Sequence, residues 1–229
     1  MLDFGFYNMD CMDGMKQFSD NYFDLAIVDP PYGIGASRYT YELGKSQLAP
    51  DKAFGSLKGS GKLKDRAINK MSTEWDKRPP SKEYFAELNR VSKNQIIWGG
   101  NYFELPPTRG IICWDKEQPF DNFSKWEMAW TSFNKPAKLF RYSNAGFQRL
   151  DKDMRIHPTQ KPVALYKWLL TNYAKPGDKI LDTHVGSASS LIACYDMGFD
   201  YVGFEIDEEY YLQAKARLDE VKAQIKWEF

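Results

Sequence analysis

Hydrophobic positions along this chain come in short blocks that alternate with stretches of helical spacing, the pattern of strands and helices taking turns. Residues 2–7 roughly alternate and end at Asn8-Met9-Asp10, which predicts a strand and a turn. Residues 24–28 form an apolar run closing on Asp29-Pro30-Pro31-Tyr32, where two prolines forbid continuation as a central strand. From Gly33 to about Pro80 the periodicity fails, and the Gly-, Ser- and Lys-rich stretch 54–62 reads as a loop. A helix from about Ser81, a suitable N-cap, to Ser92 precedes a strand at 95–98 that ends on two glycines. Asn101, just after them, suits a left-handed turn. Strands at 110–114 and 126–131, a helix at 163–173 and a strand at 179–181 follow. After Asp182 a small-residue loop, Gly186-Ser187-Ala188-Ser189-Ser190, opens a helix to about Met197. A strand at 200–204 and an amphipathic helix from Glu208 to about Lys226 complete the series.

Strands alternating with helices predict an α/β fold, a doubly wound and mostly parallel sheet covered on both faces. In such sheets ligands bind beyond the carboxyl ends of the strands, where Asp10, Asp29, Gly99, Asp115, Asp182 and Glu205 all fall. A length of 229 residues suits one catalytic domain spanning 1–229, with a basic loop insertion at about 33–80. No apolar run approaches the roughly 18 residues that span a bilayer, and the first residues do not read as a signal, so a cytoplasmic protein without membrane contact is expected. Cys11, Cys113 and Cys194 lie far apart in no paired pattern and read as reduced, buried thiols. With His157 and His184 the only imidazoles, and each more in keeping with an ordinary loop histidine, no metal is expected.

The formal net charge is zero, which argues against a purely electrostatic nucleic-acid binder, but the charges are segregated. Residues 38–78 carry ten Lys and Arg against five Asp and Glu, including Arg38, Lys58, Lys62 and Lys64. Residues 133–161 carry seven against two, including Arg141 and Arg149. These stretches suit either a solvated surface or a face that meets phosphates.

The sharpest chemical signal is Asp29-Pro30-Pro31-Tyr32. The lone pair of an exocyclic amine on a base is delocalised into the ring, so methylating it requires drawing that pair back onto nitrogen. Asp29 can accept one N–H hydrogen bond and the Pro30 carbonyl the other, while Tyr32 can stack on the base. The plainer alternative is a proline-stiffened turn. The second signal is Ile180-Leu181-Asp182-Thr183-His184-Val185-Gly186-Ser187-Ala188-Ser189, followed by a strand ending at Glu205. Strand, small-residue loop, helix and acidic strand end form a nucleoside-binding arrangement, with the acid facing ribose hydroxyls. The absence of a G-x-G-x-x-G run disfavours a pyrophosphate and leaves room for a nucleoside carrying an amino acid.

On these two motifs the chain resembles the amino-methyltransferases of DNA, in the β-type permuted order where the catalytic motif precedes the cofactor motif. The resemblance implies a seven-stranded, Rossmann-like methyltransferase sheet in the order 3-2-1-4-5-7-6, and S-adenosylmethionine as cofactor. It makes Asp29, Pro30, Pro31 and Tyr32 the catalytic motif, in a form associated with N6 of adenine more than N4 of cytosine. His157-Pro158-Thr159-Gln160-Lys161-Pro162 is similar to the segment that precedes the family's cofactor strand, which puts Thr159, Gln160, Lys161 and Pro162 along the methionine end. Asn8-Met9-Asp10-Cys11 is similar to the N-terminal segment, placing Asp10, with Cys11, near the adenine.

At the cofactor loop Asp182, Gly186, Ser187 and Glu205 match the family pattern, while Thr183 stands for proline, His184 for phenylalanine, Ala188 for glycine and Ser189 for threonine. The target-recognition insert is reduced to a short basic segment at about 134–155. The expected partner is DNA carrying a specific site, and a homodimer and a cognate restriction endonuclease are further partners the resemblance brings. No Pro-Cys pair is present, so covalent attack on cytosine C5 is not supported. Rival readings are N4-cytosine methylation, methylation of structured RNA, and a nucleic-acid-binding protein without activity.

Overall fold

The computed structural model describes residues 2–34, 78–117, 124–143, 156, 157 and 159–224. The chain divides into two units, residues 1–30 with 80–229 and residues 31–79. Of the second unit only 31–34, 78 and 79 are described; there Gly33 takes a left-handed backbone (φ +72°), with Pro79 so close that a Cβ would clash.

The first unit is built on an eight-stranded sheet. Its strands are β1 (Gly5–Asn8), β2 (Leu25–Val28), β3 (Gln95–Trp98), β4 (Ile111–Asp115), β5 (Trp126–Thr131), β6 (Lys138–Arg141), β7 (Lys179–Asp182) and β8 (Asp200–Glu205). The helices are α1 (Cys11–Met15), α2 (Lys82–Val91), α3 (Val163–Tyr173), α4 (Ser189–Met197) and α5 (Glu208–Ala223). Strand order is β1-β8-β7-β2-β3-β5-β4-β6, and only β5 runs antiparallel to its neighbours. The first seven positions reproduce the expected order, and the eighth is a correction. β6 lies inside the basic segment read as target recognition, where residues 138–141 add a parallel edge strand to β4. The remainder of that segment, 144–155, lies outside the described residues.

Other departures are local. β1 starts at Gly5 rather than Leu2, and the turn expected after it is the short helix α1, capped by Asp10. The left-handed residue near β3 is Gly99 (φ +68°), while Asn101 sits in a 3-10 turn over Gly100–Tyr102. Ser81 holds the N-cap position of α2 but makes no side-chain bond to the helix backbone. Only Cys194 is a buried thiol; Cys11 and Cys113 are partly exposed, because each flanks a strand end or edge rather than the helix-packed centre. No helix among the described residues is long and apolar enough to cross a membrane.

Alternation within the strands supplies two cores. Leu25 and Ile27, Ile96 and Trp98, and Ile180 face one side, where they pack with Leu165 and Leu169 of α3, Leu191 and Ile192 of α4, and Leu218 of α5. Ala26 and Val28, Ile97, and Leu181 face the other, against Met15 of α1 and Tyr84, Leu88 and Val91 of α2. Strands buried on both faces explain why 24–28 and 95–98 read as continuous apolar runs. Each fully buried aliphatic side chain contributes roughly 1.5–3 kcal/mol.

The helices begin and end where the sequence provides for it. Asp207 caps α5 by accepting from the Glu209 and Tyr210 amides at 3.0 and 3.1 Å. Gly198 (φ +74°) closes α4 with its N–H on the carbonyls of the last turn. On β8, a Cβ at Gly203 would lie 2.7 Å from Val185 and 2.9 Å from Leu191. Gly203→Ala is therefore expected to overpack the seam between β8 and the loop after β7, lowering stability by about 1–3 kcal/mol in urea unfolding.

Candidate active site

Four adjacent parallel strands deliver acidic or amide side chains to one edge of the sheet. β1 ends at Asn8, β8 at Glu205, β7 at Asp182, and β2 runs directly into Asp29 and a buried Pro30. The connection from β7 leads to β8 on one side and that from β2 leads to β3 on the other, so the order reverses between β7 and β2. A ligand crevice is expected at that point in an open α/β sheet.

Asp29 is anchored by a residue from the far end of the chain. Lys161, almost wholly buried just before α3, places its Nζ on Asp29 Oδ2 and 3.2 Å from Glu127 Oε2. The ammonium also lies over the Trp98 ring, 5.2 Å from its centre. Glu127, on β5, is gripped from its other side by Lys116. Burial penalises the charge of Glu127, but Lys161 and Lys116 outweigh it and hold the carboxyl down at about 2. Burial likewise works against the Lys161 ammonium, yet Asp29 and Glu127 push its pKa up. Lys161, expected along the cofactor, is here a partner of Asp29, and Gln160 beside it accepts the Ile156 amide at 3.0 Å. Thr159 bonds through its hydroxyl to the His157 ring at 3.1 Å, and Pro162 takes the N-cap position of α3.

The loop after β7 is held from several sides. Glu205 accepts the Gly186 amide at 2.9 Å and the Asp207 amide at 3.0 Å, and burial raises its pKa. Asp182 accepts the His184 amide at 3.0 Å and the Ser190 hydroxyl. Burial, with the nearby charges of Asp29 and Glu205, pushes its pKa up to about 7 despite those bonds. Gly186 (φ +55°) uses the freedom of glycine, whereas Ala188 adopts a left-handed backbone (φ +60°) with a methyl group in place. Ser187 is buried, and Arg217 of α5 donates to its carbonyl at 2.6 Å and to the Ser189 hydroxyl at 3.0 Å.

Two of the four substitutions in this loop, Thr183 and His184, are joined to α2. Thr183 shares a 2.6 Å hydrogen bond with the Tyr84 hydroxyl and a 2.9 Å bond with His184 Nδ1. The His184 ring packs edge-on against Tyr84, and burial lowers its pKa to about 4. Two polar side chains here require a polar neighbour, and Tyr84 provides it.

Asp10 caps α1 through the Met12 amide at 2.7 Å, and burial beside Asp10 pushes the Cys11 thiol up to about 12. Pro31 and Tyr32 belong to the second unit and are partly buried there. Arg141 lies on β6 with its side chain largely exposed, 3.5 Å from Asp115. Arg38, Lys58, Lys62, Lys64 and Arg149 lie outside the described residues. Tyr84, Lys116, Glu127 and Arg217 were not anticipated. Glu127 carried a usable signal, a charged residue at the inward phase of a strand whose other inward positions are Ala129 and Thr131.

A sheet of this order, whose strand ends gather carboxylates round a small-residue loop at the point of reversal, is that of a Rossmann-like methyltransferase. Solved structures share it: the M1.HpyAVI–SAM complex superposes with a TM-score of 0.53 at 21% identity, covering 93% of this chain and 98% of that one. The PvuII cytosine-N4-specific DNA methyltransferase gives 0.54 at 13% identity, covering 97% and 91%. In sequence, the Type II methyltransferase M2.MboI of Moraxella bovis is 26% identical over 99% of this chain and 92% of its own. The family model described as DNA methylase, N6_N4_Mtase, matches residues 113–216. In sequence and in fold the chain is thus similar to DNA methyltransferases, and the family-model match spans a little under half of it.

S-adenosylmethionine is the cofactor that these similarities support, and the donor set fits it. Asp182 and Glu205 are carboxylates held by backbone amides and a hydroxyl, with no Lys or Arg in ion-pair range among the described residues. Their remaining lone pairs suit the hydroxyls and the ammonium group of an aminoacyl nucleoside.

Asp182 and His184 oppose one another in pH dependence. Unfolded, they titrate near 4 and 6.5. Between those values folded Asp182 keeps a proton that the unfolded chain has lost, so its contribution falls as pH rises and is gone above 7. Folded His184 lacks a proton that the unfolded chain holds, so its contribution rises over the same range. In urea unfolding at pH 4.5 to 6.5, Asp182→Asn is expected to tilt stability upward with pH relative to the parent and His184→Gln downward. Each tilt is at most about 1.4 kcal/mol per pH unit, and tilts of the same sign would contradict the assignment.

Proposed function

We propose that this chain transfers a methyl group from S-adenosylmethionine to N6 of adenine at a specific site in DNA. The observation that carries the reading is Asp29, at the carboxyl end of β2 beside the β7 loop, with one carboxylate oxygen fixed by buried Lys161. The motif Asp29-Pro30-Pro31-Tyr32 favours adenine through its resemblance to the N6 form. The β-type permuted order is part of the same reading, since Asp29 precedes in sequence the β7–β8 segment it adjoins in the sheet.

The target base leaves its stack and is received by Tyr32. Asp29 accepts one N–H of the exocyclic amine and the Pro30 carbonyl the other, which returns lone-pair density to nitrogen and fixes its direction of attack. A carboxylate has about four lone-pair sites, so the contact with Lys161 and that with the amine are compatible. When bound, S-adenosylmethionine supplies an electrophilic methyl group whose departure leaves a neutral thioether, so the leaving group needs no acid. Asp29 then takes the proton that the amine sheds. Glu205 would hold the ribose hydroxyls, Asp10 would serve the adenine ring, and the loop from Thr183 to Ala188 would hold the remainder of the cofactor. By the resemblance, Thr159, Gln160, Lys161 and Pro162 would line its methionine end.

Arg38, Lys58, Lys62, Lys64, Arg141 and Arg149 belong to the phosphate-facing surface in this reading. The domain is a single catalytic one, cytoplasmic, and compatible with a homodimer and a paired restriction endonuclease.

Tritium transfer from labelled cofactor to DNA is expected to fall by at least about 10²-fold in Asp29→Ala. Digestion of the methylated DNA should release N6-methyladenine. Release of N4-methylcytosine would move the target to the other base, and an undiminished rate in the variant would remove Asp29 from the mechanism.

A further inference from the structure

Among the described residues Glu127 and Lys116 are linked to Asp29 through Lys161, which makes a chain of alternating ammonium and carboxylate groups. The four residues come from four places: the end of β2, the end of β4, the second position of β5 and the approach to α3. Lys161 has almost no access to water, and the Trp98 ring occupies one side of it. Its position is therefore set by how strongly each carboxylate attracts it. Lys116 bears on that contest by neutralising Glu127. Without Lys116, Glu127 would draw the ammonium away from Asp29; without Glu127, the ammonium would settle wholly on Asp29 and compete with an incoming amine.

We propose that Glu127, tuned by Lys116, is a positioning residue that sets how tightly Lys161 holds Asp29, and so how the carboxylate is placed to receive the substrate amine. The proposal rests on Asp29 being the group that receives that amine. Among the described residues, titratable groups whose charges couple to Asp29 include Asp182 at the end of β7, Tyr84 on α2 and Tyr166 on α3, and all three stay in place in the variants below.

The test reads Asp29 directly. Carboxyl 13C NMR titration of the full chain, with the Asp29 signal assigned by its loss in Asp29→Asn, needs no catalysis. Lys161→Gln is expected to raise the Asp29 midpoint by about one pH unit or more. Glu127→Gln is expected to lower it, and Lys116→Met, which does not touch Asp29, to raise it by less than Lys161→Gln does. Lys116 is more exposed than Lys161 and its replacement leaves both carboxylates in place, so this third variant keeps the proposal testable if loss of Glu127 impairs folding. Midpoints unmoved in Glu127→Gln and Lys116→Met, or moved in the same direction, would overturn it.

In methyl transfer, Glu127→Gln should lower kcat about tenfold or more with KM for DNA little changed, and the acid limb of its pH profile should shift with the NMR midpoint. A fall confined to KM would also overturn the proposal. If the parent chain transfers no methyl group, the proposed function fails, and the titration still decides whether Glu127 and Lys116 control Asp29.

Discussion

Everything at the active edge depends on one buried ammonium. Lys161 is out of water, and an isolated charge in that position would be untenable; two carboxylates and the face of Trp98 make it tenable. The requirement works in both directions. Asp29 leaves β2 through prolines that stop the strand, Glu127 sits at an inward phase of β5, and α3 begins at Pro162, immediately after the lysine. Elements far apart in sequence are thus locked at the edge where chemistry is expected, and the lock is electrostatic rather than apolar. Such arrangements add little net stability but make departures costly, because removing one partner strands the others.

The cofactor side follows a different rule. There the carboxylates of Asp182 and Glu205 face backbone amides and a hydroxyl rather than cations, and their raised affinity for protons records the cost of burying them so. Thr183 and His184, which replace an apolar pair usual in related proteins, do not leave a gap. They form a hydrogen-bonded chain with Tyr84, so α2 is fastened to the loop by polar contacts instead of by packing. These two departures from the pattern are therefore matched by a polar neighbour on α2.

Much of this architecture was legible because its signals are local. Apolar runs bounded by Gly, Pro and Asp located β2, β3, β7 and β8, and the prolines after Asp29 marked both a strand end and a chemical group. What escaped was long-range or short. Lys161 resembled a cofactor residue by sequence, and only folding shows that it reaches Asp29, 132 positions away. Glu127 gains meaning from Lys116 and Lys161, neither of which its own strand specifies. α1 spans five residues and β6 four, too few for a period to emerge, and β6 was further disguised by its basic composition.

That last strand affects how the molecule behaves in company. Among the described residues β6 pairs on one side only, and a strand in that position is of the kind that can recruit foreign strands through its outer backbone groups. Leu139 is half exposed on it, which would add stickiness. The strand is only four residues long, however, and Lys138 and Arg141 stand at its two ends. Brevity and flanking cations are features by which natural sheets discourage edge-to-edge aggregation. Positive charge at the ends of an outer strand of this sheet thus suits colloidal stability as well as contact with phosphates.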